Sequence, residues 1–195
     1  MIVRSTTLGD VADLFVEHHA YAGSGRVFAY VFAVVEDERP VAAFAWKPAP
    51  IGAAVSVCPD APQGVLALSR ASRRLKKISR AIRWQRDMLI DRTRWPVLVT
   101  YSDEGVVNEK GTPTTGNSYL YSGFKPTARN KSKQYARGGV RTSRYANGRT
   151  STTGMDYIGT ATIQRWEHWT NIVPYRNAAE YMAAHGWMRV PTGGK

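Results

Sequence analysis

The stretch "RVFAYVFAVVEDERPVAAFAWKP", residues 26–48, constrains the fold most. Two runs dense in Val, Ala and aromatic residues flank the short polar segment "EDERP". Apolar runs on either side of acidic residues and a proline predict two strands joined by a hairpin turn. Ahead of them "MIVRSTT" reads as a short strand and "LGDVADLFVEHHAY" as a helix. Asp10 is its expected N-cap, and Val11, Leu14 and Phe15 share one face by i, i+3, i+4 spacing.

Beyond the hairpin, "IGAAVSV" is a third apolar run, expected as a strand and closed by the turn signal "CPDAPQG". "GVLALSRAS" is again strand-like. Residues 76–92 follow with Ile78, Ile82 and Leu89 at helical spacing, Ala81 and Met88 widening the stripe, and Lys76, Lys77, Arg80, Arg83 and Arg86 on the polar side. "WPVLVTYSD" has a buried-strand pattern, "EGVVNEKGTPTTG" reads as a loop, and "NSYLYSG" as a short helix closed by Gly123. A basic tract and the link "NGRTSTTG" lead to a further strand, "YIGTATIQRWEHWTNIV", and a last short helix, "PYRNAAEYMAAHG". The order β-α-β-β-β-β-α-β-α-β predicts a single α+β domain, with a mixed, mostly antiparallel central sheet flanked by helices. Its expected parts are a core over 1–127, a basic Gly/Ser/Thr-containing loop or DNA-contacting insertion over 128–155, and a strand and helix over 156–195 that complete the fold.

A chain of 195 residues, 43% of them hydrophobic, is long enough for one real core. The single cysteine, Cys58, excludes an internal disulfide and reads as a small packing residue. No run reaches the roughly 18 apolar residues of a membrane span, and "MIVRSTTLGD" lacks a signal-peptide core. The expectation is a soluble cytoplasmic protein with no membrane partner. Its oligomeric state is not legible in the sequence.

Charge points to the partner. Lys and Arg total 27 against 15 Asp and Glu, a formal net charge of +12. It is concentrated: residues 110–155 hold no Asp or Glu, and Lys125, Arg129, Lys131, Lys133, Arg137, Arg141, Arg144 and Arg149 fall there. Such a field attracts polyanions. With Tyr135 and Tyr145 interleaved, the tract is a candidate nucleic-acid contact through phosphates and stacking.

The element order and "YLYSGF" together resemble the GNAT acyltransferase superfamily. In many of its members a tyrosine four residues ahead of a Gly-Phe pair protonates the leaving CoA thiolate; here Tyr119 precedes Gly123 and Phe124. The resemblance implies an acetyl-CoA cofactor held at the junction of the fourth strand and the next helix, by Leu68, Ser69, Arg70, Arg73, Arg74, Lys76, Lys77 and Ser79. The superfamily's glycine-rich phosphate loop is missing, because "SRASRRLKKISRA" contains no glycine. Side-chain charge stands in its place.

A narrower resemblance, clearest over 64–127, is to the Mom group of phage DNA-modification proteins. It rests on "LSR", "VTYSD", Gly116 with Tyr119, and the paired histidines His18 and His19. It implies modification of an exocyclic base amine, adenine N6 favoured, in double-stranded phage DNA to evade host restriction. Tyr119, Asp103, His19, His18 and Tyr101 are then the catalytic candidates, with Asp103 or a histidine accepting the amine proton. Modifying a base inside a duplex requires its extrusion from the stack. An iron site of a histidine, Asp103 and Tyr119 is chemically feasible but has no supporting spacing. The rival readings are acetylation of an aminated, hypermodified thymidine, a non-catalytic DNA-binding protein on the same scaffold, and a protein or tRNA N-acetyltransferase. His168 reads as part of a tryptophan-anchored strand, with a catalytic pairing to Glu167 as the alternative.

Overall fold

The computed structural model describes residues 2–18, 28–59, 61–73, 78–93, 95–104, 106, 115–142 and 152–170. The hairpin forms as expected: β2 (Tyr30–Glu36) and β3 (Arg39–Pro48) pair antiparallel. Asp37 and Glu38 join them with φ of 48° and 63°. A two-residue turn with both central φ positive matches the right-handed twist of its strands. Strand β1 (Ile2–Ser5) lies along β2, and β4 (Val65–Arg73) along the other edge of β3.

Next comes β5 (Val97–Asp103), parallel to β4. Parallel neighbours need a crossover, and α3 (Ser79–Thr93) supplies it. β8 (Asp156–Trp169) pairs antiparallel with β5, β6 (Lys125–Arg137) with β8, and β7 (Val140–Thr142) with β6. The eight-stranded order is β1-β2-β3-β4-β5-β8-β6-β7.

Alternation along the strands divides the core into two layers. On one face Phe32, Val34, Phe44, Trp46, Leu66, Leu98 and Trp166 pack against Ile78, Ala81, Ile82 and Leu89 of the α3 segment, with Phe124. Each large apolar side chain buried there contributes about 1.5–3 kcal/mol. Trp46 is fully buried, and its indole Nε1 donates to Gln85 Oε1 at 2.9 Å. On the other face, Val31, Ala33, Ala43 and Ala45 meet Val11, Leu14 and Phe15. The last two belong to α1 (Ala12–His18). Val65, Ala67, Val97 and Val99 meet α2 (Ile51–Val57) on that same face.

Three expectations change. "IGAAVSV" is helix α2: it follows Pro50, its alanines favour helix, and Ala54, Val57 and Cys58 bury one face at i, i+3, i+4. Asp10 is not the N-cap. It exchanges bonds with Thr7, the Thr7 N–H donating to Asp10 Oδ2 at 3.1 Å and the Asp10 N–H to Thr7 Oγ1 at 3.4 Å, as the third residue of a capping box does. Finally, the basic tract is not a loop from residue 128. It is strand through Arg137, because β8 supplies a backbone partner along its length. The expected final helix lies outside the described residues. Among the described residues no helix is long and apolar enough to cross a membrane.

Candidate active site

Strands β4 and β5 pair only at Val65↔Val97, Leu66↔Leu98 and Ala67↔Val99. Past that point β4 runs on to Arg73 along β3, and β5 runs on to Asp103 along β8. The two strands therefore part, leaving a gap in the middle of the sheet that is open at their C-terminal ends. Its local cause is a bulge. Trp46 opposes Leu68 and Ala45 opposes Arg70, so Ser69 has no opposite number. An extra residue bends and twists the strand that carries it. Beyond Ala67 and Val99 the two strands no longer serve each other as ladder partners.

Tyr119 stands on the α3 face of the sheet. It lies in α4 (Asn117–Leu120), half-buried, with its ring centroid 6.2 Å from that of Trp166 and 6.3 Å from that of Phe124. Gly116 precedes the helix at φ +73°, and a Cβ there would stand 2.5 Å from the Trp166 ring. Only glycine fits both the dihedral and the close approach. Trp166 Nε1 in turn donates to Ser102 Oγ on β5 at 2.9 Å, buried. The far end of α4 is held from α3 and β8. Arg83 Nη2 donates to the Tyr121 carbonyl and Arg86 Nη1 to the Ser122 carbonyl, both at 2.5 Å. His168 Nδ1 donates to the Gly123 carbonyl at 2.8 Å. The imidazole is held below its ordinary range by burial, with the Gly123 bond opposing. The geometry gives His168 a structural role.

Tyr101 and Asp103 alternate with Ser102 and so project from the opposite, α2 side. Tyr101 opposes Arg165 on β8. Burial pushes its phenol above the ordinary value, the Arg165 guanidinium opposing and the Glu167 carboxylate reinforcing. Glu167 is itself buried and fully engaged: it pairs with Arg165 Nε at 2.8 Å and accepts from Thr127 Oγ1 at 2.7 Å and Trp169 Nε1 at 2.8 Å. Arg165 Nη1 also donates to Ser56 Oγ of α2 at 2.8 Å.

The expected catalytic residues thus divide between two sides of one gap. Tyr119 is on one, Tyr101 and Asp103 are on the other, and they do not form a single cluster on one face. His18 ends α1, but its side chain and the whole of His19 lie outside the described residues. Among the expected cofactor contacts, Leu68 is buried beside the Tyr119 cluster and Ser69 forms the bulge. Arg70 is half-buried, its guanidinium lowered by burial. Arg73 ends β4, and Ser79 opens α3 with its carbonyl accepting from Ser122 Oγ at 2.9 Å. The Arg73 side chain and residues Arg74, Lys76 and Lys77 lie outside the described residues. Among the described residues no three His, Cys, Asp or Glu side chains converge on a metal position.

Of the expected nucleic-acid contacts, Lys125, Arg129, Lys131, Lys133 and Arg137 are on β6, and Arg141 is on β7. Arg144 and Arg149 lie outside the described residues. Sequence reasoning missed the Arg165–Glu167 pair and the Arg83–Arg86 clamp. The first left a trace, opposite charges two apart within an apolar strand. The second has none, because its acceptors are backbone carbonyls 36 and 38 positions away.

No protein-family model matches the chain, and no curated protein matches it. Solved structures do. Ribosomal-protein-alanine N-acetyltransferase from Brucella melitensis is 12% identical, with a TM-score of 0.50 over 87% of this chain and 99% of that one. Ribosomal-protein-S5-alanine acetyltransferase from Vibrio fischeri is 11% identical, with a TM-score of 0.49 over 87% and 92%. An acetyltransferase from Bacillus subtilis in complex with CoA is 7% identical, with a TM-score of 0.44 over 86% and 97%. At such identities a likeness speaks of fold alone, and the fold is the GNAT-like α+β architecture that the order of elements predicted.

Proposed function

We propose that the protein alters an exocyclic amine of a nucleobase in DNA, adenine N6 favoured, at a GNAT-type acyl-CoA site, and that the step is transfer of the acyl group of acetyl-CoA to that amine. The observation that carries the transfer half is the parting of β4 and β5 beyond Ala67 and Val99. The basic composition of β6 supports the DNA half.

The residues present fit the cofactor. The gap offers two strand edges for an amide-bearing arm, and Ser72 Oγ, on β4 beyond the parting, is buried without a hydrogen-bond partner. An unmet buried hydroxyl is what a ligand satisfies. Ser69 and Arg70 flank the opening, and Arg73, Arg74, Lys76, Lys77 and Ser79 supply charge and hydroxyl where a glycine-rich loop would supply backbone N–H groups. Acetyl-CoA supplies an activated acyl carbon and a sulfur leaving group.

With acetyl-CoA bound, the Tyr119 hydroxyl would be the group that supplies a proton to the departing sulfur. The Gly116–Trp166–Ser102 stack fixes where that hydroxyl sits. Across the gap, Asp103 accepts from the attacking amine. Tyr101, with its phenol pushed up, stays protonated and orients the acceptor as a donor. His18, the last residue of α1, and His19, next in the sequence, are the alternative bases.

The test incubates the protein with acetyl-CoA and adenine-containing DNA, follows free thiol, and digests the DNA for nucleoside mass spectrometry. Thiol release with an acetyl mass on adenosine is the expected result. No thiol release with any DNA would overturn the reading. A second reading, transfer to a protein N-terminal amine, is favoured by the likeness to the Brucella melitensis enzyme, which is named for a ribosomal-protein alanine. Thiol release with peptides alone would select it.

A further inference from the structure

Strand β6 sorts its side chains by charge. Register against β8 sets Arg129 opposite Gln164, Lys131 opposite Thr162, and Lys133 opposite Thr160, all on the face that carries Trp166. A register shift after Gln134 keeps Tyr135 on that face, opposite Tyr157, and alternation adds Arg137. Beyond the register shift after Pro126 the other face carries Ala128, Asn130, Ser132, Gln134 and Ala136, all uncharged; Lys125, opposite Glu167, is on that face ahead of the shift. Gln134 and Ala136 are buried there, whereas Lys131, Lys133 and Arg137 are exposed.

The cationic face is also aromatic. Tyr157 is 58% exposed, its ring centroid 6.0 Å from that of Tyr135 and its hydroxyl 2.8 Å from Thr160 Oγ1. Arg129 is spent on Glu104, both carboxylate oxygens at 2.7 Å, and Arg137 Nη2 donates to the Thr153 carbonyl at 3.3 Å. Among the described residues Lys131 and Lys133 have no carboxylate partner. Successive side chains on one strand face stand about 7 Å apart, close to the step between phosphates of an extended single strand.

Place matters as much as composition. β8 meets β5 only as far as Ile163↔Asp103, and its earlier residues continue with β6 past the end of β5. The β6–β8 arm therefore projects beyond the end of the sheet at which β4 and β5 have parted.

We propose that this face of the β6–β8 arm is a track for single-stranded nucleic acid, with Lys131 and Lys133 on successive phosphates and Tyr157 stacking a base. Charge complementarity selects a polyanion, and the exposed ring selects one whose bases are unpaired, because a duplex hides its base faces. The inference deepens the acceptor half of the reading above and rests on it for the polyanion. It replaces duplex with unpaired strand as the form held.

The test is fluorescence anisotropy of labelled dT20 and of a 20-base-pair duplex across a salt series. Wild type is expected to bind dT20 more tightly than duplex. K131Q/K133Q is expected to lower the log–log salt slope by about 1.4, at about 0.7 for each phosphate no longer neutralised. Tyr157→Ala is expected to weaken dT20 binding at least about fivefold, the low end for removal of one stacked base; Tyr157→Phe keeps the ring and stays within about twofold. Tighter duplex binding, an unchanged slope in the lysine variant, or wild-type affinity in Tyr157→Ala would each overturn the track. Calorimetry with acetyl-CoA on the same proteins separates the two readings. If wild type binds dT20 as described but gives no heat with acetyl-CoA, transfer fails and the track stands. If acetyl-CoA binds and dT20 does not, the reverse holds.

Discussion

Strands β3 and β6 are both long, and both lie inside the same sheet, yet they do opposite work. β3 is apolar on both faces: Ala42, Phe44 and Trp46 are buried on one side, Ala43 and Ala45 on the other. β6 is held by its backbone ladder to β8, and its outward side chains carry charge to solvent. A sheet can thus separate the residues that stabilise it from those that charge its surface. β3 fixes where β4 runs and hence where it leaves β5. β6 sets the field beside the opening.

The largest expected effect tests that division. Phe44→Ala should cost about 3–5 kcal/mol by urea denaturation, and Lys131→Ala less than about 0.5 kcal/mol. Similar costs would break the comparison. Glu167 should behave like β3 despite its charge, because its pair with Arg165 is buried, at 7% and 17% side-chain exposure. Removing one partner of a buried pair costs roughly 3 kcal/mol or more, so Glu167→Ala should lower the urea midpoint far more than Lys133→Ala.

Gly116→Ala comes next, at about 1–3 kcal/mol for the overlap with Trp166. It should also lower turnover, because Tyr119 follows on the same short helix. A variant with wild-type stability and rate would show that this packing does not position the phenol. The smallest effect is on pH. Burial holds His168 below its ordinary 6.5, so the unfolded chain binds its proton first. Stability from this residue is whole above pH 6.5 and declines as pH falls toward the folded value. Urea midpoints from pH 7.5 to 5 should show that decline, and His168→Phe should flatten it.

The same contrast explains what was legible in the sequence. Apolar density revealed β2, β3, β4 and β5, and helical spacing revealed the buried faces of α1 and α3. Helix α4 and its close at Gly123 were readable from the local sequence. β6 was not, because its alternation separates cations from small neutral residues, and an apolar pattern is what marks a strand by eye. α2 was misread since a short Ala-, Gly- and Val-rich run suits either period. The packing of Gly116 on Trp166 spans 50 positions, and only the completed sheet brings them together. The division of Tyr119 from Tyr101 and Asp103 follows from register, which local motifs do not specify.

The central claim is that the parted strands hold a thioester cofactor beside Tyr119. Calorimetric titration of acetyl-CoA into wild type and Tyr119→Phe tests it most directly. The account predicts saturable heat of similar affinity in both, with transfer in the Phe protein slowed about 100-fold or more. Absence of heat with wild type at low salt would contradict it.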